Sequence, residues 1–298
     1  MKKLLFIAAM AVLLLTACGK DNDEPDNGFE QSSDNVAYGT HSLQKMDILL
    51  PSSAAAGSHV PAVLLIHGGA WSSGDKSDFA GMKQGINNLG YAYVSVNYRM
   101  LGNGATYTDM LDDIANAVSH LKKYSAKYRI KTDKLSVWGS SAGGHLALLY
   151  SYSRQSEIPV AMVVSQVGPT DFCDPDLYAT VTIPMLDLVN RLTGTQVSLT
   201  QLQNPAFTPP TQWSLASPIY HVGAASPPTI MAYGVLDDLV AYSNAVRLDA
   251  ELTAKGVQHH FVSFPNSGHD LANDPDAGEF FYQVALFYLA SYLPVAGL

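Results

Sequence analysis

Four short segments carry residues whose types and spacing suit one chemistry, acyl transfer to a serine. The first is Gly139-Ser140-Ser141-Ala142-Gly143, a G-x-S-x-G pattern with Ser141 at its centre. A nucleophile on a tight strand-to-helix turn has a strained backbone, so the residues two before and two after it must be very small. Gly139 and Gly143 meet that demand, and Gly144 extends it. A glycine turn that only packs a helix against a sheet would share the pattern. The second segment is His67-Gly68-Gly69-Ala70-Trp71. Paired glycines let a backbone approach a ligand and point N–H groups at it. The negative oxygen of a tetrahedral intermediate needs such donors. Gly68 and Gly69 are the candidates, together with the N–H of Ala142 at a helix start, where the dipole also favours an anion. His67 reads as a structural residue that orients this loop. Trp71 reads as a wall of the substrate pocket.

The third segment is Gly234-Val235-Leu236-Asp237-Asp238. An acid at a strand end can hold an imidazole in one tautomer and stabilise its cation. Asp237 and Asp238 both qualify by position. The fourth is Ser267-Gly268-His269-Asp270. Of the nine histidines, only His269 follows the acid in a short Gly/Ser loop able to reach Ser141. His259 and His260 fall inside a strand, His120 in mid-helix, His221 before a glycine-bearing loop, and His145 just after the serine turn. All five read as packing or solvated residues.

These segments need a scaffold that brings distant loops together. Short apolar, β-rich runs at 63–66, 91–97, 135–138, 160–167, 229–233 and 257–264 read as strands. They alternate with helical patterns at 81–89, 110–124, 142–150, 243–255 and 279–293. Such alternation predicts an α/β fold: a mostly parallel sheet with helices on both faces and ligands at the strands' carboxyl ends. Residues 43–50 alternate only loosely and predict an antiparallel edge strand. Residues 174–215 contain no clean strand. A structureless loop of that length is unusual, so they predict a small helical insertion over the strand ends.

Composition narrows the class. The chain has 298 residues, 47% of them hydrophobic and 14% charged, where about 25% charged is typical. That favours one large buried core over a disordered chain. With 26 acidic against 17 basic side chains, the net charge is −9. A phosphate-tracking surface needs a Lys/Arg excess, so nucleic acid is not an expected partner. No H-E-x-x-H, C-x-x-C or G-x-x-x-x-G-K-[ST] occurs, so no metal or nucleotide site is expected.

The amino terminus reads as an address. Lys2 and Lys3 precede an apolar run over residues 4–15, too short to span a bilayer, which reads as an export signal. Leu15-Thr16-Ala17-Cys18 resembles the bacterial lipoprotein lipobox, which implies cleavage before Cys18 and its lipidation. Only Cys173 is then left, with no disulfide partner. Lys20 followed by Asp21, Asp23, Glu24, Asp26, Glu30 and Asp34 reads as an acidic tether. It also resembles the surface-export signal of Bacteroidetes lipoproteins. The expected organisation is a signal peptide at 1–17, a lipidated Cys18 with its tether at 18–36, and one domain at 37–298 with an insertion near 174–215. The expected location is the cell envelope, at the outer membrane, on its periplasmic or its outer face.

Taken together, the motifs resemble an α/β-hydrolase of the H-G-G-x-W esterase type, related to hormone-sensitive-lipase-like and acetylxylan or feruloyl esterases. The resemblance covers roughly residues 40–295, with Val96-Asn97-Tyr98-Arg99 and Ala216-Ser217-Pro218-Ile219 as further landmarks. It implies the triad order Ser141, Asp237, His269. The family's acid stands three residues after a Gly and three before a Val, which selects Asp237 over Asp238. The resemblance also implies no metal and no organic cofactor. The expected activity is serine-dependent hydrolysis of carboxylic esters, with acylated glycans as candidate substrates. Amidase, formamidase or peptidase action by the same triad is the alternative. A non-catalytic glycan-binding lipoprotein is the third reading, and an intact triad argues against it.

Overall fold

The computed structural model describes residues 31–295; the expected signal peptide and Cys18 lie outside them. Eight strands form one sheet: β1 (Ser32–Ala37), β2 (Lys45–Leu49), β3 (Val60–Ile66), β4 (Ala92–Val96), β5 (Ile130–Ser140), β6 (Val160–Gln166), β7 (Thr229–Gly234) and β8 (His259–Phe264). Their spatial order is β1-β2-β4-β3-β5-β6-β7-β8. From β4 to β8 every neighbouring pair is parallel, whereas β1–β2 and β2–β4 are antiparallel.

The helices are α1 (Ser52–Ala55), α2 (Lys83–Asn88), α3 (Tyr107–Lys123), α4 (Ser125–Tyr128), α5 (Ala142–Ser153), α6 (Pro175–Thr180), α7 (Ile183–Thr193), α8 (Leu199–Leu202), α9 (Thr211–Ala216), α10 (Ser243–Ala254) and α11 (Pro275–Tyr292). The period of a strand sends alternate residues to opposite faces, and β3 shows the result. Leu64 and Ile66 join one buried cluster with Met110 and Ile114 of α3 and Leu146 of α5. Val63 and Leu65 join the other with Phe281, Ala285 and Leu289 of α11. Every residue of β3 is buried, as a strand covered on both faces must be.

The structure departs from expectation at the amino-terminal edge. β2 is antiparallel as expected but is not the edge strand, because β1 pairs outside it, Val36 opposite Met46. The expected tether therefore ends too late: residues 32–36 belong to β1. Polar composition hides this strand, since an edge strand needs only one partner and exposes much of its length. Backbone bonds at both ends hold it, Leu50 N–H to Gln31 O at 2.8 Å and Tyr38 N–H to Gln44 O at 3.1 Å. The helix expected at 81–89 is instead a 3-10 turn, Lys76–Met82, running into α2. It starts early because Asp75 caps it and Asp78 returns the bond to the Asp75 N–H. Residues 175–216 hold four helices, α6 to α9, set between β6 and β7 in the chain.

Candidate active site

The site grows from the carboxyl end of β5, the strand paired to both β3 and β6. There the chain reverses into α5 with Ser141 at φ +52° and ψ −122°. A non-glycine residue in that region costs roughly 1–3 kcal/mol and persists only when its surroundings dictate it. They do so here. Ser141 N–H donates to Gln166 O at 2.7 Å, and His145 N–H donates to Ser141 O at 3.0 Å. A Cβ on Gly139 would collide with Gly143 O, and one on Gly143 with Ile66 O. The small residues flanking the serine are thus a steric necessity.

The base arrives from the far edge of the sheet. His269 Nε2 lies 2.8 Å from Ser141 Oγ, and its Nδ1 lies 2.8 Å from Asp237 Oδ2. An ionised carboxylate only accepts. Nδ1 therefore carries the proton, and Nε2 accepts from the serine hydroxyl. Asp237 Oδ1 is occupied by the N–H groups of Leu239 and Val240, each at 2.9 Å. The Asp237 side chain is fully buried and that of His269 is 23% exposed, so the pair is open toward substrate on one side only. Asp238, the competing acid, is exposed. A Cβ on Gly234 would strike Gly268 O and Ser267 O: the end of β7 lies directly against the histidine loop. That loop is stiffened by Asp274, whose Oδ2 accepts from Ser267 Oγ at 2.6 Å and from Asn266 N–H at 2.9 Å.

Gly68 packs against the nucleophile turn, and a Cβ there would sit 2.9 Å from Ser140 O and 3.3 Å from Ser141 Cβ. The loop beyond it takes positive φ at Gly69, Ala70 and Trp71 in succession. Three anchors hold this strained run. The buried His67 ring stacks on Tyr98 with centroids 4.5 Å apart, and Tyr98 Oη donates to His67 O at 2.9 Å. Trp71 Nε1 donates to His145 Nδ1 at 3.2 Å. Leu101 N–H donates to Trp71 O at 2.9 Å. Burial lowers the pKa of His67, so the ring is neutral and structural. Ala142, the first residue of α5, has an N–H with no partner inside the helix. Gly68 thus packs against Ser141, and Gly69 lines the same groove as the serine.

The two further sequence landmarks are supports. Asn97 Oδ1 accepts Lys76 N–H at 2.6 Å and its Nδ2 donates to Asp75 at 2.7 Å, while Arg99 grips the buried Asp113 at 2.8 Å. Ala216 O accepts from His145 Nε2 at 2.7 Å, and Ser217 Oγ accepts from Phe172 N–H at 2.8 Å. Four further histidines have partners elsewhere: His120 lies on Tyr124, His221 bonds Leu215 O, His259 pairs with Asp249 and His260 meets the Phe280 ring. The Cys173 thiol is pushed up to about 11 by burial, with the Asp171 charge adding to it, so it is no rival nucleophile.

Two spaces open from Ser141 and His269. One is a small cavity of about 130 Å³ walled by Trp71, Phe172 and residues of α6 and α7. The other is a broad groove of about 710 Å³ that runs past Gly68, Gly69, Phe79, Gln166 and Tyr282. Asp171, Asn244, Gln166, Phe79 and Tyr282 were not legible as site residues, because only the fold brings them to the serine. Asp171, five residues past β6, carried the one available signal, an acid following a strand end.

The arrangement is able to deprotonate a serine and return the proton to a leaving group. Similar proteins carry related chemistry in their names. The chain is 27% identical over 265 residues to dipeptidyl aminopeptidase BIII of Pseudoxanthomonas mexicana, covering 83% of this chain and 36% of that protein. It is 26% identical over 223 residues to the probable carboxylic ester hydrolase LipM of Mycobacterium tuberculosis, covering 71% of this chain and 49% of that protein. It thus spans between about a third and a half of the length of these relatives. In fold it is similar to a truncated carbohydrate esterase from gut microbiota, with a TM-score of 0.71 at 20% identity, covering 90% of this chain and 98% of that one. The BD-FAE family model matches residues 46–252, a span that takes in Ser141, Asp237 and the glycine loop, and the chain belongs to that family.

Proposed function

We propose that the protein is a serine-dependent carboxylic-ester hydrolase that works through an acyl-enzyme. In this reading Ser141 Oγ attacks the ester carbonyl as His269 Nε2 takes its proton. The backbone amides of Gly68, Gly69 and Ala142 hold the oxyanion. His269 then gives the proton to the departing alcohol, and Asp237 stabilises the imidazolium meanwhile. Water follows the same path: His269 accepts its proton, the oxygen attacks the acyl carbon, and the acid leaves as Ser141 regains a proton. The single observation that carries the reading is the unbroken chain Ser141–His269–Asp237, with both bonds at 2.8 Å. Hydrolysis of p-nitrophenyl acetate by the wild type and by Ser141→Ala tests it. The expected loss is three decades or more, as removing a serine nucleophile costs about 10⁶ in a comparable triad. Equal rates would end the reading.

Amide cleavage is the second reading, favoured by the similarity to a dipeptidyl aminopeptidase. Matched esters and anilides of one acyl group separate the two. We also propose that residues 1–17 are an export signal and that Cys18 carries lipid, joined to the hydrolase domain by the acidic segment before β1. This would put the enzyme on the cell envelope, where acylated glycans are accessible substrates. Metabolic labelling with an alkyne fatty acid should mark the wild type and spare Cys18→Ser.

A further inference from the structure

The two spaces that meet at Ser141 differ in what they can hydrogen-bond, and that difference assigns the halves of the substrate. The small cavity is walled by Trp71, Phe172, Leu177, Met185, Leu188 and Val189. Besides Ser141 and His269, two polar side chains reach it, Asp171 and Asn244, and each polar atom of both already has a partner. Asp171 Oδ2 accepts from Arg247 Nε at 2.9 Å and Nη2 at 2.6 Å, and its Oδ1 accepts Cys173 N–H at 2.8 Å. Asn244 Oδ1 accepts the N–H groups of Thr170 and Asp171, and its Nδ2 donates to Asp174. A sugar hydroxyl entering here would lose its water and find few free partners, at a cost of about 1–3 kcal/mol each. An apolar group would lose nothing.

The groove is the opposite case. Among the described residues the Gln166 amide and the Tyr282 hydroxyl have no hydrogen-bond partner. Asp78 spends only Oδ2, on the Asp75 N–H at 3.1 Å. Ser73 Oγ donates to Gly69 O at 3.0 Å and keeps its acceptor capacity. Two aromatic side chains, Phe79 and the exposed Tyr282, line the same groove. Aromatic faces beside uncommitted polar groups suit a ring that is apolar on one face and hydroxylated at its rim.

Resting on the esterase reading above, the geometry points to a division of labour. The cavity under α7 takes the acyl group, and the groove takes a hydroxylated, sugar-like alcohol. The cavity also sets a size limit. Its volume is about 130 Å³, below the ~150 Å³ that admits benzene in an engineered cavity elsewhere. Acyl groups smaller than a benzoyl ring, from acetyl to butyryl, fit, and a feruloyl group does not. Met185, Leu188 and Val189 of α7 are the specificity-determining residues for acyl length. Phe79, Gln166 and Tyr282 are those for the alcohol.

Two substrate series test this. One holds p-nitrophenol constant and varies the acyl group through acetyl, butyryl, benzoyl and feruloyl. The other holds acetyl constant and varies the alcohol between p-nitrophenol and xylose. Val189→Phe should lower kcat/KM for butyryl relative to acetyl by about tenfold or more, the scale on which pockets discriminate by a methylene or two. The order of the alcohols should be preserved. Leu188→Ala, at a half-buried site that folds more easily, should move the acyl optimum to longer chains. Tyr282→Ala should raise KM for the acetylated sugar more than for p-nitrophenyl acetate. The assignment is overturned if the α7 variants reorder the alcohols while the acyl profile stands still, or if feruloyl esters are the best substrates of the wild type. Absence of any Ser141-dependent ester hydrolysis is a different result, and it would remove the esterase reading itself.

Discussion

The indole of Trp71 donates to Nδ1 of His145 at 3.2 Å, and this bond ties the glycine loop to the helix that begins beside Ser141. The donor fixes the tautomer: Nδ1 accepts, so Nε2 carries the proton and gives it to Ala216 O at 2.7 Å. One buried ring thus clamps the loop, α5 and the end of α9 together. It does so only while neutral, because a proton on Nδ1 would abolish the Trp71 bond.

Burial drops the His145 pKa to about 4, with the Ala216 carbonyl pulling weakly the other way. Between about pH 4 and the ordinary histidine value near 6.5 the unfolded chain binds a proton that the folded one refuses. Stability therefore falls as pH falls through that window, by on the order of 3 kcal/mol at its lower end. His67, lowered by its own burial, pushes the same way. The expected result is a melting temperature that declines below pH 6.5 and is flat above it. His145→Gln, which can accept and donate but does not titrate, should flatten much of the slope. Parallel curves for the two proteins would refute the assignment.

Asp237 is satisfied on both oxygens, by His269 on one and by two backbone N–H groups on the other. Asp237→Asn should leave the melting temperature within a few degrees and lower kcat by about 10⁴, as loss of the orienting acid does in other triads. Members of a triad act as a unit. The double variant with Ser141→Ala should therefore be no slower than Ser141→Ala alone. A further multiplicative loss would mean that Asp237 works outside the triad.

Gly143 faces the backbone of β3, where a Cβ would collide with Ile66 O. Backbone atoms of a central strand have nowhere to go. Gly143→Ala should abolish activity and cost several kcal/mol, the range of strongly strained or overpacked sites. Gly85 in α2 has open space around it, so Gly85→Ala should be neutral or stabilising by up to about 1 kcal/mol. Denaturant melts of the two variants check the contrast.

The same steric logic explains which parts were legible in the residues alone. The serine turn and the glycine loop announce themselves because their requirements are local: small neighbours, a strand before, a helix after. His269 could be reached by order along the chain. Position alone left the acid open between Asp237 and Asp238, and the family spacing selected Asp237; in the structure its side chain is sealed and Asp238 is exposed. β1 was hidden because a polar edge strand looks like a linker. Asp274, which braces the histidine loop, and Gln166 and Tyr282 in the groove carry no local signature. Their roles exist only through contacts between segments far apart in sequence.

Asp171 carries the last prediction, since its side chain has no exposure at all and Arg247 meets it at 2.6 Å from a position 41% exposed. Asp171 lines the cavity beside Ser141, and the pair joins the loop after β6 to α10. A buried carboxylate without its partner keeps the full desolvation cost, which makes removing one member far worse than removing both. Arg247→Met should cost about 2–3 kcal/mol, somewhat less than a wholly buried pair because solvent reaches the guanidinium side. Adding Asp171→Asn should recover part of that loss, since the amide leaves no charge stranded. The recovery should change little with salt, because a carboxylate without exposure is screened far less than a surface charge. Denaturant unfolding of the two single variants and the double, at low and high salt, measures the coupling. Additive losses would show that the two side chains do not act as an ion pair.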